Sequence, residues 1–113
     1  MAAKTFELVS YEKSNRIAWI TINNESRMNA LSTGVMNGLY DSFEEVDNDD
    51  DVLVAVLTGA GGRAFCAGAD LSALGSAAEQ GLLQLYDGFM AVGKCALPTI
   101  AAVNGPAVGA GLN

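Results

Sequence analysis

The sequence predicts an α/β protein whose strands are joined by helical crossovers, and three observations predict it. Residues 52–57 form a continuous apolar run bounded by turn residues, the pattern of a strand covered on both faces. The segments before and after that run carry apolar residues at helical spacing instead. Taken together, the elements read strand, strand, helix, strand, helix, strand, helix, an order that requires crossover connections.

Residues 6–11 read as a short strand and residues 16–22 as a second, in which Ile17, Trp19 and Thr21 alternate against Ala18, Ile20 and Ile22. Lys13-Ser14-Asn15 is the hairpin signal between them, since Ser and Asn side chains satisfy backbone groups in turns. A polar loop follows over residues 23–29. Ser32 suits a helix N-cap, where its hydroxyl can accept an orphan amide. Val35, Met36, Leu39, Tyr40, Phe43 and Val46 then recur at helical spacing. Gly34 and Gly38 weaken that helix slightly, and the acidic stretch 41–51 is expected to be its solvated end and turn.

After the apolar strand, residues 58–62 form a glycine-rich turn, and residues 64–71 are small and apolar apart from Asp70. A second helix is expected within about residues 77–95, with Leu82, Leu85, Phe89 and Val92 on one stripe and Pro98 marking its end. Residues 99–103 read as another buried strand. Residues 105–111 read as a tight turn opening a third helix, in whose first turn Leu112 and Asn113 fall. A helix of so few residues cannot stand alone, so residues 1–113 are expected to be the N-terminal part of a single domain whose C-terminal part is absent.

Composition removes several classes of function. Half the residues are hydrophobic and 17% are charged, enough for one domain with a modest core and unlike a disordered chain. No apolar run reaches the roughly 18–20 residues of a membrane helix, and the first ten residues lack a leader pattern, so no membrane association is expected and a cytoplasmic location is. The net charge is −7, and six Lys and Arg among thirteen acids cannot build a basic face for nucleic acid. There is no histidine, which removes Ser-His-Asp and Cys-His catalysis and histidine metal sites from this stretch. The two cysteines, Cys66 and Cys95, are expected to be reduced, and no metal is expected. Chemistry here must use backbone amides, carboxylates or side-chain amides.

Some motif-like runs also fail on context. Gly59-Ala60-Gly61-Gly62-Arg63-Ala64 fits a dinucleotide fingerprint, but the fingerprint needs a helix to open there and the following residues read as a loop. A calcium loop over residues 47–58 would put Val52 where glycine is needed and Thr58 where glutamate is needed.

Two segments stand out for chemistry: residues 64–71, Ala-Phe-Cys-Ala-Gly-Ala-Asp-Leu, and residues 101–111, Ala-Ala-Val-Asn-Gly-Pro-Ala-Val-Gly-Ala-Gly. Each follows a buried strand, and each uses small residues where the backbone must turn. Such turns leave amides unpaired in the crevice at the strand ends. Two amides that converge on one point can bind an oxyanion, and small side chains let a ligand approach the backbone. Close packing of a helix on a sheet would select the same small residues in either segment alone. Their order and spacing together point to something more specific.

The first segment is similar to the first signature of the crotonase (enoyl-CoA hydratase/isomerase) family, and the second to its second signature. Arg27-Met28-Asn29-Ala30-Leu31 resembles that family's basic-x-Asn-Ala-Leu segment. On these residues the chain resembles the N-terminal part of a crotonase-family protein. The resemblance implies the crotonase-type (ClpP/crotonase) α/β spiral of β-β-α units, incomplete in this chain. It implies that the backbone amides of Ala69 and Ala110 hold the thioester carbonyl of an acyl-CoA and stabilise its enolate, with Ala110 at a helix N-terminus whose dipole adds to the bond. Ala30, Ala67, Gly68, Asp70, Leu71 and Gly109 are expected around the substrate. Asp70 would order its loop by accepting backbone amides. Arg27 takes the family's basic position near coenzyme A, and Lys94 is a second candidate cation. Coenzyme A is part of the substrate, and no separate cofactor or metal is implied. A homo-oligomer, a trimer or a pair of trimers, is expected by the same resemblance.

The pattern departs from a hydratase at Asn113, which stands where the family carries the first of two catalytic glutamates. Asparagine can hydrogen-bond a water but cannot take its proton. Glu79 and Asp87 read as ordinary solvated helix acids. The expectation is therefore enolate chemistry of the enoyl-CoA hydratase/isomerase type, with a non-catalytic CoA-binding or oligomer-forming relative as the alternative. The 113 residues alone are expected to be inactive.

Overall fold

Two tight reversals build one edge of the sheet in the computed structural model, which describes residues 2–70 and 79–113. Strand β1 (Ala2–Phe6) turns at Glu7 and Leu8 into β2 (Val9–Ser14), which turns at Asn15 and Arg16 into β3 (Ile17–Ile22). Asn15 and Arg16 both take positive φ, 53° and 66°. Two left-handed residues in succession give a hairpin turn whose twist matches that of the flanking strands. The single strand expected over residues 6–11 is therefore two strands with a turn between them: Phe6 pairs directly with Val9 across it. Glu7 supplies the left-handed conformation at φ 50° without glycine or asparagine, so composition hides this turn.

Helix α1 (Thr33–Asp47) follows a 3-10 turn at Glu25–Arg27. The Ser32 hydroxyl accepts the Val35 amide at 3.2 Å, as an N-cap should. Val35, Met36, Leu39, Phe43 and Val46 are buried. Tyr40 is not: it is 46% exposed. Gly38 packs the helix closely, since a Cβ there would strike the carbonyl oxygen of Phe6 and the Val9 side chain. The acidic stretch is tethered at several points. Lys13 reaches Asp49 at 2.8 Å, Arg16 reaches Asp51 at 3.6 Å, and the Ala96 amide donates to Asp47 at 3.3 Å.

Strand β4 (Val54–Gly59), helix α2 (Glu79–Gly93) and strand β5 (Thr99–Ala101) complete a five-stranded sheet in the order β1-β2-β3-β4-β5. The first two pairings are antiparallel, and β3-β4 and β4-β5 are parallel. One face carries the row Tyr11, Ile20, Leu57 and Ala101, of which the first three share a core with α1 and with Phe89 and Val92 of α2, while Ala101 is exposed. On the opposite face the row is Glu12, Trp19, Val56 and Ile100, with Trp19 41% and Ile100 54% exposed. Strand β5 is thus short and exposed, where a buried strand over residues 99–103 was expected. It lies at the sheet's edge. The expected third helix is one 3-10 turn, Gly109–Gly111.

Both cysteines are free thiols. Among the described residues no helix is long and apolar enough to cross a membrane, and no cluster of residues is suited to a metal ion.

Candidate functional site

Parallel strands place the loops that leave their carboxyl ends side by side, the usual position of a ligand crevice in an α/β sheet. Here the loops after β3 (residues 23–32), β4 (60–70) and β5 (102–111) meet at that end. The central loop is stitched to both neighbours. Toward the first, the Ala67 amide donates to Met28, the Leu31 amide to Gly68 at 2.7 Å, and the Asp70 amide to Leu31. Toward the third, the amides of Phe65 and Cys66 both donate to Pro106, and Val108 donates to Cys66 at 3.1 Å. These bonds form short parallel bridges at Leu31/Ala69 and Cys66/Ala107.

The bridges determine which amides remain available. Leu31 engages the carbonyl of Gly68 and the amide of Asp70, so Ala69 between them directs its own amide away from Leu31. Ala110 lies in the opening turn of its 3-10 segment, where an amide has no preceding carbonyl to pair with. Neither amide has a hydrogen-bond partner among the described residues. Gly68 stands between the two segments at φ 99°: a Cβ on it would lie 2.8 Å from the Val108 carbonyl oxygen and 3.8 Å from the Ala110 nitrogen.

An apolar cavity of about 300 Å³ opens beside this junction, between the helices and the strand ends. Ile22, Leu31, Leu57 and Phe89 line it, together with Ala110 and Asn113. Asn113 therefore shares a cavity with Ala110. Ala69 and Arg27 are not part of its lining.

The remaining candidates divide clearly. Asp70 is 8% exposed, and its carboxylate lies 3.5 Å from an Arg27 guanidinium nitrogen. Arg27 is thus anchored at one end while most of its side chain faces solvent. Ala30 and Gly68 are buried, Ala67 is half-buried, and Ala69 and Gly109 are exposed. Lys94 is exposed just past α2, and no contact ties it to the three loops among the described residues. Asp87 is exposed on α2. Leu71 lies outside the described residues, as do the side chains of Glu79, Leu82 and Leu85. Ala110 lies within the 3-10 turn at residues 109–111, and Leu112 after it is in the helical region. Burial raises the Cys66 thiol above its ordinary value, partly offset by a backbone hydrogen bond at Gly68. That keeps the thiol protonated and makes it a packing group rather than a nucleophile. Sequence reasoning assigns no role to Asn29 or Asn104, yet both side chains bond carbonyls of the turn after β4. Asn104 is the one polar side chain in the 101–111 motif, but Asn29 lies in a polar loop and carries no such mark, and neither pattern reveals the distant partners.

Residues 12–113 match the family model described as enoyl-CoA hydratase/isomerase. A probable enoyl-CoA hydratase of Mycobacterium tuberculosis is 54% identical over 110 residues, which cover 94% of this chain and 42% of that protein. The (E)-benzylidenesuccinyl-CoA hydratase of Thauera aromatica is 39% identical over 107 residues, covering 92% of this chain and 42% of that protein. Among solved structures, an enoyl-CoA hydratase/carnithine racemase from Magnetospirillum magneticum aligns with TM-score 0.88 and 34% identity, over 97% of this chain and 43% of that one. The chain thus spans less than half the length of these relatives.

Proposed function

The chain belongs to the enoyl-CoA hydratase/isomerase family, and from that premise we propose that the whole protein binds an acyl-CoA thioester and stabilises its enolate between two backbone amides. The observation that carries this reading is the pair of unpartnered amides, Ala69 and Ala110, on adjoining loops with Gly68 between them. A thioester carbonyl set there accepts both. As the α-proton leaves, charge accumulates on that oxygen, and the two donors stabilise it more strongly than they stabilise the neutral carbonyl. One such donor is worth about 3–4 kcal/mol in the transition state. The apolar cavity beside Ala110 suits an acyl chain. Arg27 has enough exposed length to reach a phosphate of coenzyme A while Asp70 steadies it. Coenzyme A arrives with the substrate, so the reading calls on no separate cofactor or metal. It takes the protein to be a cytoplasmic homo-oligomer.

Asn113 can orient a water or a polar acyl group but cannot accept a proton. The reading therefore commits to enolate stabilisation and assigns the proton acceptor to another group. The same residue favours a second reading, a relative that binds acyl-CoA without turning it over.

The test is turnover of crotonyl-CoA and other short acyl-CoAs by the protein carrying this chain and by its Ala110→Pro variant. Proline at that position removes a donor without breaking an internal hydrogen bond, in a first turn that tolerates it. Loss of turnover at unchanged melting temperature is expected. A variant as active as its parent rejects the oxyanion assignment, and a parent inactive on every acyl-CoA favours the non-catalytic reading.

A further inference from the structure

The turn at residues 59–61 is held by two asparagines from different loops. Asn29, from the loop after β3, donates its side-chain amide to the carbonyls of Ala60 at 3.1 Å and Ala64 at 2.9 Å, while its oxygen accepts the Asn24 amide at 2.9 Å. Asn104, from the loop after β5, donates to the carbonyls of Gly59 at 2.7 Å and Gly61 at 3.0 Å. Its oxygen accepts the Gly59 amide at 3.3 Å and lies 3.4 Å from the Thr58 hydroxyl. Alternate carbonyls of one short stretch are thus taken by alternate asparagines, so the turn is gripped from both edges. Asn29 is 1% exposed with both polar ends satisfied, and it holds a left-handed φ of 58° to reach its partners.

We propose that Asn29 and Asn104 are positioning residues that set the separation of the Ala69 and Ala110 amides through the turn they share. The inference rests on the oxyanion reading above. Asn29 fixes the carbonyl of Ala64, which opens the segment leading to Ala69. Asn104 begins the segment leading to Ala110, and its grip on Gly59 and Gly61 ties that segment to the same turn. A pair of oxyanion donors works only when both reach the developing charge at hydrogen-bonding distance. A misplacement of about 1 Å can cost roughly a hundredfold in rate. Glycines leave the turn free in its backbone, so the restraint must come from side chains. The residue type follows from the task. A short, planar, neutral group with two donors and one acceptor can bridge carbonyls and an amide at once, whereas aspartate has no proton to give to a carbonyl.

Crotonyl-CoA carrying ¹³C at the thioester carbonyl provides the probe, read by difference infrared spectroscopy on the protein carrying this chain. Two hydrogen bonds to the carbonyl lower its stretching frequency on binding. Asn104→Ala and Asn104→Asp are expected to lose most of that red shift, while the dissociation constant of free coenzyme A, which lacks the carbonyl, stays within about twofold. Asn29→Ala is expected to do the same. Because Asn29 is buried and Asn104 exposed, the Asn104 variants carry the decision if Asn29→Ala fails to fold. Asn48→Ala, whose side chain among the described residues bonds the Glu44 carbonyl at the end of α1, should keep the parent's shift. Asn104 variants that show the full parental shift overturn the proposal, as do variants that lose melting temperature and coenzyme A affinity together while any bound thioester keeps its shift. No red shift in the parent would instead overturn the oxyanion reading on which the proposal stands.

Discussion

Gly68 and Val108 stand too close for a side chain to fit between them. A Cβ at position 68 would lie 2.8 Å from the Val108 carbonyl oxygen, and the backbone there holds φ 99°, a conformation that L side chains rarely adopt. Two requirements, clearance and handedness, thus coincide at the residue between the two unpartnered amides. Gly68→Ala should destabilise the fold by about 1–3 kcal/mol, through strain and displacement of the 106–111 loop. A urea titration would show a lower midpoint at unchanged slope. An unchanged midpoint would mean that the loops part without cost.

Phe43 and Tyr40 are aromatic neighbours on α1 with opposite environments, 1% and 46% exposed. Phe43→Ala should cost about 3–5 kcal/mol, since it leaves a cavity at the centre of the helix–sheet contact. Tyr40→Ala should change stability by no more than about 0.5 kcal/mol, as surface substitutions usually do. Thermal unfolding of the two variants side by side makes the comparison, and equal losses would contradict the assigned helix face.

Lys13 and Asp49 should shape both ends of the pH–stability profile. The Asp49 carboxyl is held below its ordinary value, first by the hydrogen bond from Lys13 and then by the Asp51 backbone amide. The same bond raises Lys13. A lowered carboxyl contributes stability above its unfolded value, about 3.9, and loses it as pH falls through the folded value. A raised lysine contributes below about 10.4 and loses that contribution as pH rises through its folded value. Lys13→Met should therefore flatten the acid limb below about pH 4 and the alkaline limb above about pH 10.4. The groups are partly solvated, so the effect is small and fades in high salt. Melting temperatures across pH at low ionic strength provide the check, and superimposable profiles for parent and variant would remove the pair from the account.

Elements whose signals are local were legible from residues alone. Helix α1 announces itself through Ser32 and the stripe from Val35 to Val46, and β4 through its unbroken apolar run. The hairpin at Asn15 carries turn chemistry in its side chains. The turn at Glu7 does not, and there the tertiary demand that Phe6 pair with Val9 overrides local preference. Burial was not legible for β5, whose apolar residues lie at an exposed edge. The same division runs through the candidate site. The two bends could be singled out because small residues clustered at turns are visible in a string of letters, and the family resemblance placed Gly68, Ala69 and Ala110 within them. Asn29 and Asn104 could not, since their partners lie 35 and 45 residues away.

Periodicity and turn chemistry were enough to specify an α/β chain and to mark two bends where backbone amides go unpaired, because each depends on residues within a turn or two of one another. Whether those bends meet depends on the parallel pairing of β3, β4 and β5, which carries three distant loops to one end of the sheet. Packing decided the rest: Gly68 fits against Val108, and two asparagines share a single turn. Contacts of that kind exist only when segments far apart in the chain are held within hydrogen-bonding distance.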